Sequence, residues 1–124
     1  MQRVRVANRS RDTVLGDRVG VADRWWLRLR GLLGRRELAR GEGLLLRPCR
    51  AVHMSGVAFA LDVGFLDRGG RVVAIYPGLA PGRRTRWHRD AREALELPAG
   101  TFAATGTAEG DLLETTPSTA GATA

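Results

Sequence analysis

Residues 43–76 read GLLLRPCRAVHMSGVAFALDVGFLDRGGRVVAIY and contain the longest apolar runs of the chain. From Val57 to Phe65 every odd-numbered residue is apolar, which is the alternation of a strand with one apolar face. Asp67–Gly70 supplies a tight connection, and residues 71–76 return as a second strand rich in β-branched side chains. The sequence therefore predicts a β-hairpin at this point.

Five other segments predict short strands around this hairpin. Residues 3–7 alternate charged and apolar side chains, and residues 13–22 form a weaker extended segment that glycines interrupt. Residues 43–46 are a short apolar run that a proline ends. The last two predicted strands are residues 94–97 and 112–115, with a short helix between them.

One amphipathic helix is predicted after residue 22. Asp23 can cap its first turn, and Gly34 can end it. Its apolar side chains recur at helical spacing and form one stripe, made of Trp25, Trp26, Leu29, Leu32 and Leu33. A Trp-rich basic helix suits a membrane surface or a partner protein, but a small domain needs its bulky aromatic side chains in the core. We therefore expect the stripe to seal the core.

These elements indicate a mainly β fold. Several short strands, frequent glycines and one convincing helix favour a compact antiparallel barrel or jelly-roll-like sandwich with one covering amphipathic helix. The length suits a single domain. Because TTPSTAGATA has no large apolar residue to bury, we expect one domain over residues 1–114 and a disordered tail over residues 115–124.

The formal net charge is +7, from 20 basic against 13 acidic residues, and every basic residue is arginine. Such a charge attracts polyanions through its long-range field. Arginine, alanine and glycine also have GC-rich codons, so codon bias accounts for the same composition. We favour codon bias because the arginines are spread along the chain, whereas basic interaction tails place them in one block.

No apolar run reaches the roughly 18 residues that span a membrane, and residues 1–12 are too charged for a secretory signal. We therefore expect a cytoplasmic protein with no membrane span. Cys49 is the only cysteine, so no disulfide can form within the chain. No motif in the sequence calls for a cofactor, and we expect none.

Several short motifs occur in a fixed order along the chain. They are RLRGLLGR, GEGLLL, HM, LDVGFLD, GRVV, LELPAG and a late GD. In this order and spacing they resemble the prokaryotic family called domain of unknown function 192, over residues 2–114. The resemblance implies a compact β-rich fold similar to a barrel or jelly roll. It implies no catalytic residues, because the family has no established activity.

The chain departs from the pattern of this family next to the hairpin. One version of the family has a Trp-Met pair before the aspartate, and here His53 replaces the Trp while Met54 keeps its place before Asp62. Another version has a cysteine followed by a histidine four residues later, which Cys49 and His53 match. The polar character of this region differs among members, which argues against one fixed reaction.

Cys49, His53, Met54 and Asp62 form a candidate pocket. With His88, three of them could supply metal ligands, but the chain lacks the paired spacing of structural zinc sites, and we expect no metal. Cys49 could also be a nucleophile activated by His53, yet no glycine-framed turn or third orienting residue accompanies the pair. We therefore expect a buried, inert Cys49 beside a structural His53.

Asp62 lies on the strand face opposite the apolar residues, with Ala60, Gly64 and Leu66 as its neighbours. Because this is hardly a charged face, we expect Asp62 to be partly covered and held by arginine or backbone N–H groups. It is predicted to be a structural anchor and not a functional acid.

The loop that begins at Pro77 and Gly78 contains a candidate anion-binding set: Arg83, Arg84, Arg86, Trp87 and Arg89. Guanidinium groups pair with phosphates, and an indole stacks on a base. Phosphate attraction alone is nonspecific and salt-sensitive. The interpretation that we favour is therefore a mobile basic loop with Trp87 folded onto the barrel.

No acid–base pair, phosphate loop or nucleophile motif stands out in the sequence. The leading hypothesis is a small non-enzymatic binding or assembly module, with its surface formed by residues 49–62 and the loop at residues 83–89. The alternative is polyanion or nucleic-acid binding through that loop, and an enzyme using Cys49 and His53 ranks third. A protein partner and a weakly bound polyanion both remain open, and the sequence does not name the partner.

Overall fold

The computed structural model describes residues 1–24, 26–27 and 32–118. In chain order its elements are β1 (Arg3–Asn8), β2 (Thr13–Ala22), β3 (Glu42–Leu46), β4 (Leu61–Leu66), β5 (Val72–Leu79), β6 (Glu93–Pro98), α1 (Thr101–Thr105) and β7 (Leu113–Pro117). Each segment predicted as a strand overlaps one of the seven strands, and α1 is the short helix predicted between the last two.

The strands form a seven-stranded sheet in the order β5-β4-β6-β3-β2-β1-β7. Neighbouring strands are antiparallel, except β2 and β3, which run parallel. The sheet curls until its two edges meet at one end, where Arg71 and Leu112 form an antiparallel bridge. There the Leu113 N–H donates to the Gly70 carbonyl at 2.9 Å. The result is a half-barrel, which confirms the prediction of a mainly β, barrel-type fold.

Apolar side chains pack on both faces of this sheet. Successive residues of a strand point to opposite faces, so the neighbours Leu44 and Leu45 belong to different clusters. The cluster inside the half-barrel joins all seven strands and α1, and includes Val6, Val19, Leu45, Leu95, Leu97 and Phe102. The cluster on the other face lies between the sheet and residues 49–60, which contribute side chains to it. It includes Leu44, Met54, Val57, Leu61, Val63 and Phe65. Strand β4 is consequently buried along its whole length.

The hairpin predicted within residues 57–76 is present as β4 and β5, with two corrections to its bounds. Strand β4 begins at Leu61 and not at Val57, because the Val57 N–H donates to the Met54 carbonyl at 3.2 Å and closes a turn. Strand β5 continues past the predicted end to Leu79. Its Pro77 lacks an N–H, which an edge strand tolerates because that side need not pair.

The predicted helix after Asp23 falls largely outside the described residues, which include neither Trp25 nor Leu29. Of the rest of its apolar stripe, Leu32 is buried, whereas Trp26 and Leu33 are exposed, so the stripe does not seal the core along its whole length. No described helix is long and apolar enough to cross a bilayer.

The C-terminal end of the fold lies beyond the predicted domain boundary at residue 114. Strand β7 runs to Pro117 and pairs with β1, with Thr116 opposite Arg5. A backbone ladder holds these residues without needing apolar side chains, which is why composition alone places the boundary too early. Residues 119–124, the rest of the predicted tail, lie outside the described residues.

Candidate functional site

A cavity of about 390 Å³ opens where the ends of β2 and β3 meet residues 47–53. Its volume lies in the range of pockets that hold small organic ligands. Its walls combine apolar and charged side chains, which are Ala22, Asp23, Arg24, Leu46, Arg47, Pro48, Cys49, Ala51, Val52 and His53. We call it the Cys49 cavity.

Two of the four predicted pocket residues, Cys49 and His53, line this cavity together. Cys49 is half-buried, and its thiol donates to the Ala51 carbonyl, with Sγ 3.1 Å from the oxygen. The Cys49 N–H donates to the carbonyl of Arg92 at 3.0 Å. These bonds fix the cysteine at the wall of the cavity.

His53 is joined to the basic loop by a short antiparallel bridge with Arg84. The Met54 N–H donates to the Arg83 carbonyl at 2.8 Å, and the Thr85 N–H donates to the Val52 carbonyl at 2.9 Å. These two bonds flank the His53–Arg84 pair, which makes it a non-hydrogen-bonded pair with side chains close together on one face. The two candidate regions of the sequence therefore meet on one surface.

Met54 and Asp62, the other two predicted pocket residues, have different surroundings. Met54 is fully buried in the core under residues 49–60. Asp62 is also fully buried, and its Oδ1 accepts the N–H groups of Gly78 at 2.9 Å and Gly100 at 3.2 Å. Its Oδ2 accepts the N–H of Phe102 at 2.8 Å. Backbone N–H groups thus hold both carboxylate oxygens, and the negative charge strengthens these bonds. Asp62 ties β4 to the end of β5 and to the segment that joins β6 to α1.

All five residues of the predicted anion-binding set are exposed on the loop surface, namely Arg83, Arg84, Arg86, Trp87 and Arg89. Thr85 and His88 are buried and attach the loop to the sheet. The Thr85 hydroxyl accepts the Val52 N–H at 3.0 Å, and the His88 N–H donates to the Arg50 carbonyl at 2.8 Å. Trp87 is 65% exposed. The expectation that it folds onto the barrel is wrong, because Thr85 and His88 occupy the inward positions on either side of it.

His88, which the sequence offered only as a possible metal ligand, is buried. Its ring packs on Phe65 with centroids 4.5 Å apart, and its Nε2 lies 2.5 Å from the Tyr76 hydroxyl oxygen. Burial lowers the pKa of His88, and the nearby Arg86 guanidinium lowers it further, while Glu109 opposes both. The Nε2 of neutral His88 can accept a hydrogen bond from the Tyr76 hydroxyl, so the folded state favours the uncharged ring.

The lowered pKa of His88 predicts an acid-sensitive fold. As the pH falls through about 6.5, the unfolded chain takes up a proton that folded His88 does not, so stability is lost as the pH falls. The melting temperature should therefore decrease as the pH is lowered from 7.5 to 5.5. His88→Phe keeps an aromatic ring against Phe65 and should flatten this dependence, whereas His53→Gln should preserve it. An equal slope in wild type and His88→Phe contradicts the prediction.

Sequence reasoning missed Arg24 and Arg47 as wall residues of the Cys49 cavity. Arg24 holds its guanidinium 5.4 Å from the ring centroid of Trp26, and Arg47 pairs with Glu93. Their positions in the sequence could have indicated this role, because each arginine lies just beyond the end of a buried strand, β2 or β3. Side chains at neighbouring strand ends meet only when the strands pair, and the β2–β3 pairing was not predicted.

Within residues 1–24, 26–27 and 32–118, no three His, Cys, Asp or Glu side chains form a group that could hold a metal ion. Asp111 takes part in an ordinary polar network: its Oδ2 accepts from Asn8 at 3.0 Å and from Arg11 at 3.1 Å. These bonds and the Ala108 N–H lower the pKa of Asp111, although burial opposes them. We assign this network to stability.

A family model matches residues 5–115, and its family is DUF192, described as an uncharacterized ACR. The chain belongs to the DUF192 family. The match confirms the resemblance read from the ordered motifs. Because the family is described as uncharacterized, membership supports the fold and the motif positions and assigns no activity.

Two solved structures are similar to this DUF192 chain over most of its length. One is a proposed transcription regulator from Sinorhizobium meliloti 1021, 29% identical, with a TM-score of 0.74 and 92% of each chain covered. The other is a protein of unknown function from Novosphingobium aromaticivorans DSM 12444, 24% identical, with a TM-score of 0.75. That match covers 90% of this chain and 83% of the other. No curated protein matches the sequence.

Proposed function

We propose that this DUF192 protein is a non-enzymatic binding module whose ligand site is the Cys49 cavity. The observation that supports the proposal most is the His53–Arg84 pair, which places the cavity wall and the basic loop on one surface. A concave, largely apolar pocket with a few polar groups at its edge is the usual form of a small-molecule site.

The chemistry of the polar residues supports binding over catalysis. A cysteine nucleophile needs a base and a third group that orients the base. Asp62 is the carboxylate that the sequence grouped with His53 in the candidate pocket, but three backbone N–H groups occupy its oxygens. The Cys49 thiol is directed to the Ala51 carbonyl. Both groups thus act in holding the fold.

A fragment screen read by melting temperature tests this proposal. Small organic fragments that bind the folded state raise the melting temperature by mass action. The matched control is Ala51→Trp, because Ala51 is an exposed wall residue and a large side chain there fills the cavity. We expect stabilising fragments for the wild type and loss of their effect in the variant. Fragments that stabilise both proteins equally would overturn the assignment of the cavity.

Polyanion binding through the loop at residues 83–89 is the second candidate function, and the exposure of Trp87 favours it. An exposed indole among arginines gives a nucleic-acid base a stacking surface and its phosphates counter-charges. Buried Thr85 and His88 hold the loop, so its arginines lose less conformational freedom on binding. The description of the Sinorhizobium relative as a proposed transcription regulator agrees with this candidate.

If the loop binds nucleic acid, Trp87→Ala should weaken binding of a single-stranded oligonucleotide about tenfold. Arg84→Gln should weaken it at every sequence and reduce its salt dependence. The measurement is fluorescence anisotropy of a labelled oligonucleotide at low salt. The control is Trp26→Ala, which removes a different exposed tryptophan and should leave binding unchanged. Absence of wild-type binding at low salt removes this candidate and leaves the cavity proposal intact.

A further inference from the structure

We infer that the Cys49 cavity selects small amphipathic anions, meaning molecules with an apolar body and a single carboxylate, sulfonate or phosphate group. This inference rests on the proposed binding function and adds the ligand class to it. Two properties of the surroundings support it: the apolar wall of the cavity and an excess of arginine over acid around its rim.

The apolar wall comes from the strand ends and the segment after them. Ala22 and Leu46 end β2 and β3, and Pro48, Ala51 and Val52 continue the surface. Burying carbon against such a wall removes apolar area from water and stabilises the complex by about 25 cal/mol per Å². The ligand body that suits this wall is a hydrocarbon or aromatic group.

Charged side chains stand at the same cavity. Arg24, Arg47 and Asp23 contribute to its wall, and Arg84 stands opposite His53 on the bridge. Arg47 pairs with Glu93 through its Nε. A guanidinium has five N–H donors, so this pair leaves the others on Arg47 for a ligand anion.

A second depression continues the positive surface on the other side of Arg47 and Pro48. It has a volume of about 500 Å³, and its walls are Arg47, Pro48, Arg68, Arg92 and Glu93. In the part of the chain that the structure describes, no ion pair joins Arg68 or Arg92 to a carboxylate.

The two depressions and the bridge thus bring five arginines near two carboxylates. This excess attracts anions, and it disfavours ligands that carry a positive charge. An anionic end group bound by Arg47 would lie at the boundary between the apolar wall and the arginine-rich depression.

The other large depressions suit this ligand class less well. One of about 530 Å³ has several threonine side chains and a single arginine, Arg40, in its wall, which residues 13–15, 98–101 and 104–105 complete. Another of about 560 Å³ also combines apolar residues with arginines, but two of its arginines already have partners. Arg35 pairs with Glu42 at 2.9 Å, and Arg18 donates to the Arg40 carbonyl at 2.8 Å. The apolar and basic surfaces meet most directly at the Cys49 cavity.

Two dyes with one aromatic body test the inference. 8-Anilinonaphthalene-1-sulfonate carries a sulfonate, and N-phenyl-1-naphthylamine lacks it, while both fluoresce when their rings leave water. We expect the sulfonate to bind with one-to-one stoichiometry and about tenfold more tightly than the neutral dye. Arg47→Gln should weaken the affinity for the sulfonate dye about tenfold and change the affinity for the neutral dye by less than about twofold. Arg40→Gln, which makes the same charge change at the depression beside α1, should alter neither.

The outcomes separate this inference from the proposed function. Equal affinity for the two dyes, with both lost in Ala51→Trp, overturns anion selectivity and leaves the cavity as a binding site. Equal loss of sulfonate binding in Arg47→Gln and Arg40→Gln shows a general charge effect and also overturns the inference. If neither dye binds and no fragment distinguishes the wild type from Ala51→Trp, both the inference and the proposed function fail.

Discussion

Asp62→Asn should lower the free energy of unfolding by about 3–4 kcal/mol and the melting temperature by about 10 °C. The fully buried Asp62 carboxylate accepts three backbone N–H groups, from Gly78, Gly100 and Phe102. An asparagine oxygen can replace Oδ1, but its NH2 group then faces the N–H of Phe102, and two donors cannot bond. One buried donor is left unpaired and the charge that strengthened the other bonds is lost. Thermal and urea unfolding both report this change.

Asp67→Asn is the matched control for Asp62. Asp67 Oδ1 also accepts two backbone N–H groups, from Gly69 and Arg71, both at 2.9 Å. This turn lies at the surface, and an asparagine oxygen accepts the same two bonds in an Asx-turn. We expect a loss below about 1 kcal/mol. If both substitutions cost the same, Asp62 is not the anchor that the contacts imply.

Gly70→Ala should cost about 3 kcal/mol because it opens the closure of the half-barrel. Gly70 has φ of 89°, and its carbonyl accepts the N–H of Leu113 where β5 and β7 meet. A Cβ on Gly70 would lie 2.6 Å from the Leu113 carbonyl oxygen. Because that oxygen belongs to backbone, it cannot move aside without displacing β7. Urea unfolding monitored by circular dichroism measures the loss.

Gly110→Ala is the control that measures the cost of the left-handed backbone conformation without a steric clash. Gly110 has φ of 90° and its N–H donates to the Val72 carbonyl at 2.8 Å in the same closure, but a Cβ there meets nothing within 4 Å. The cost should be that of the left-handed conformation alone, about 1–2 kcal/mol. A Gly110→Ala variant as unstable as Gly70→Ala would show that the contact with Leu113 is not decisive.

Local patterns predict most of the strands because their information lies within a few residues. The hairpin of β4 and β5 follows from alternation before the turn at residues 67–70 and from β-branched residues after it, and the pairing confirms it. The anchor expected at Asp62 follows from a carboxylate between small and apolar neighbours, and its contacts are backbone N–H groups. The start of β4 is misplaced because Val57 is buried in a turn, and burial produces the same apolar signal as a strand.

The site depends on pairings between distant segments, which a local pattern does not contain. The parallel pairing of β2 with β3 brings Arg24 and Arg47 to one cavity, across the segment that separates them in sequence. The His53–Arg84 bridge joins segments that the sequence places in separate candidate regions. The exposure of Trp87 follows from the inward positions of Thr85 and His88, which only their hydrogen bonds to residues 50–52 reveal.

A nitrogen-15 NMR titration with 8-anilinonaphthalene-1-sulfonate can show whether the Cys49 cavity is the ligand site. Amide shifts report where the dye binds, residue by residue. We expect the largest changes at Ala22, Leu46, Cys49 and His53, and we expect Ala51→Trp to abolish them. Saturable changes centred instead on Thr13 and Thr101, at the depression beside α1, would contradict it.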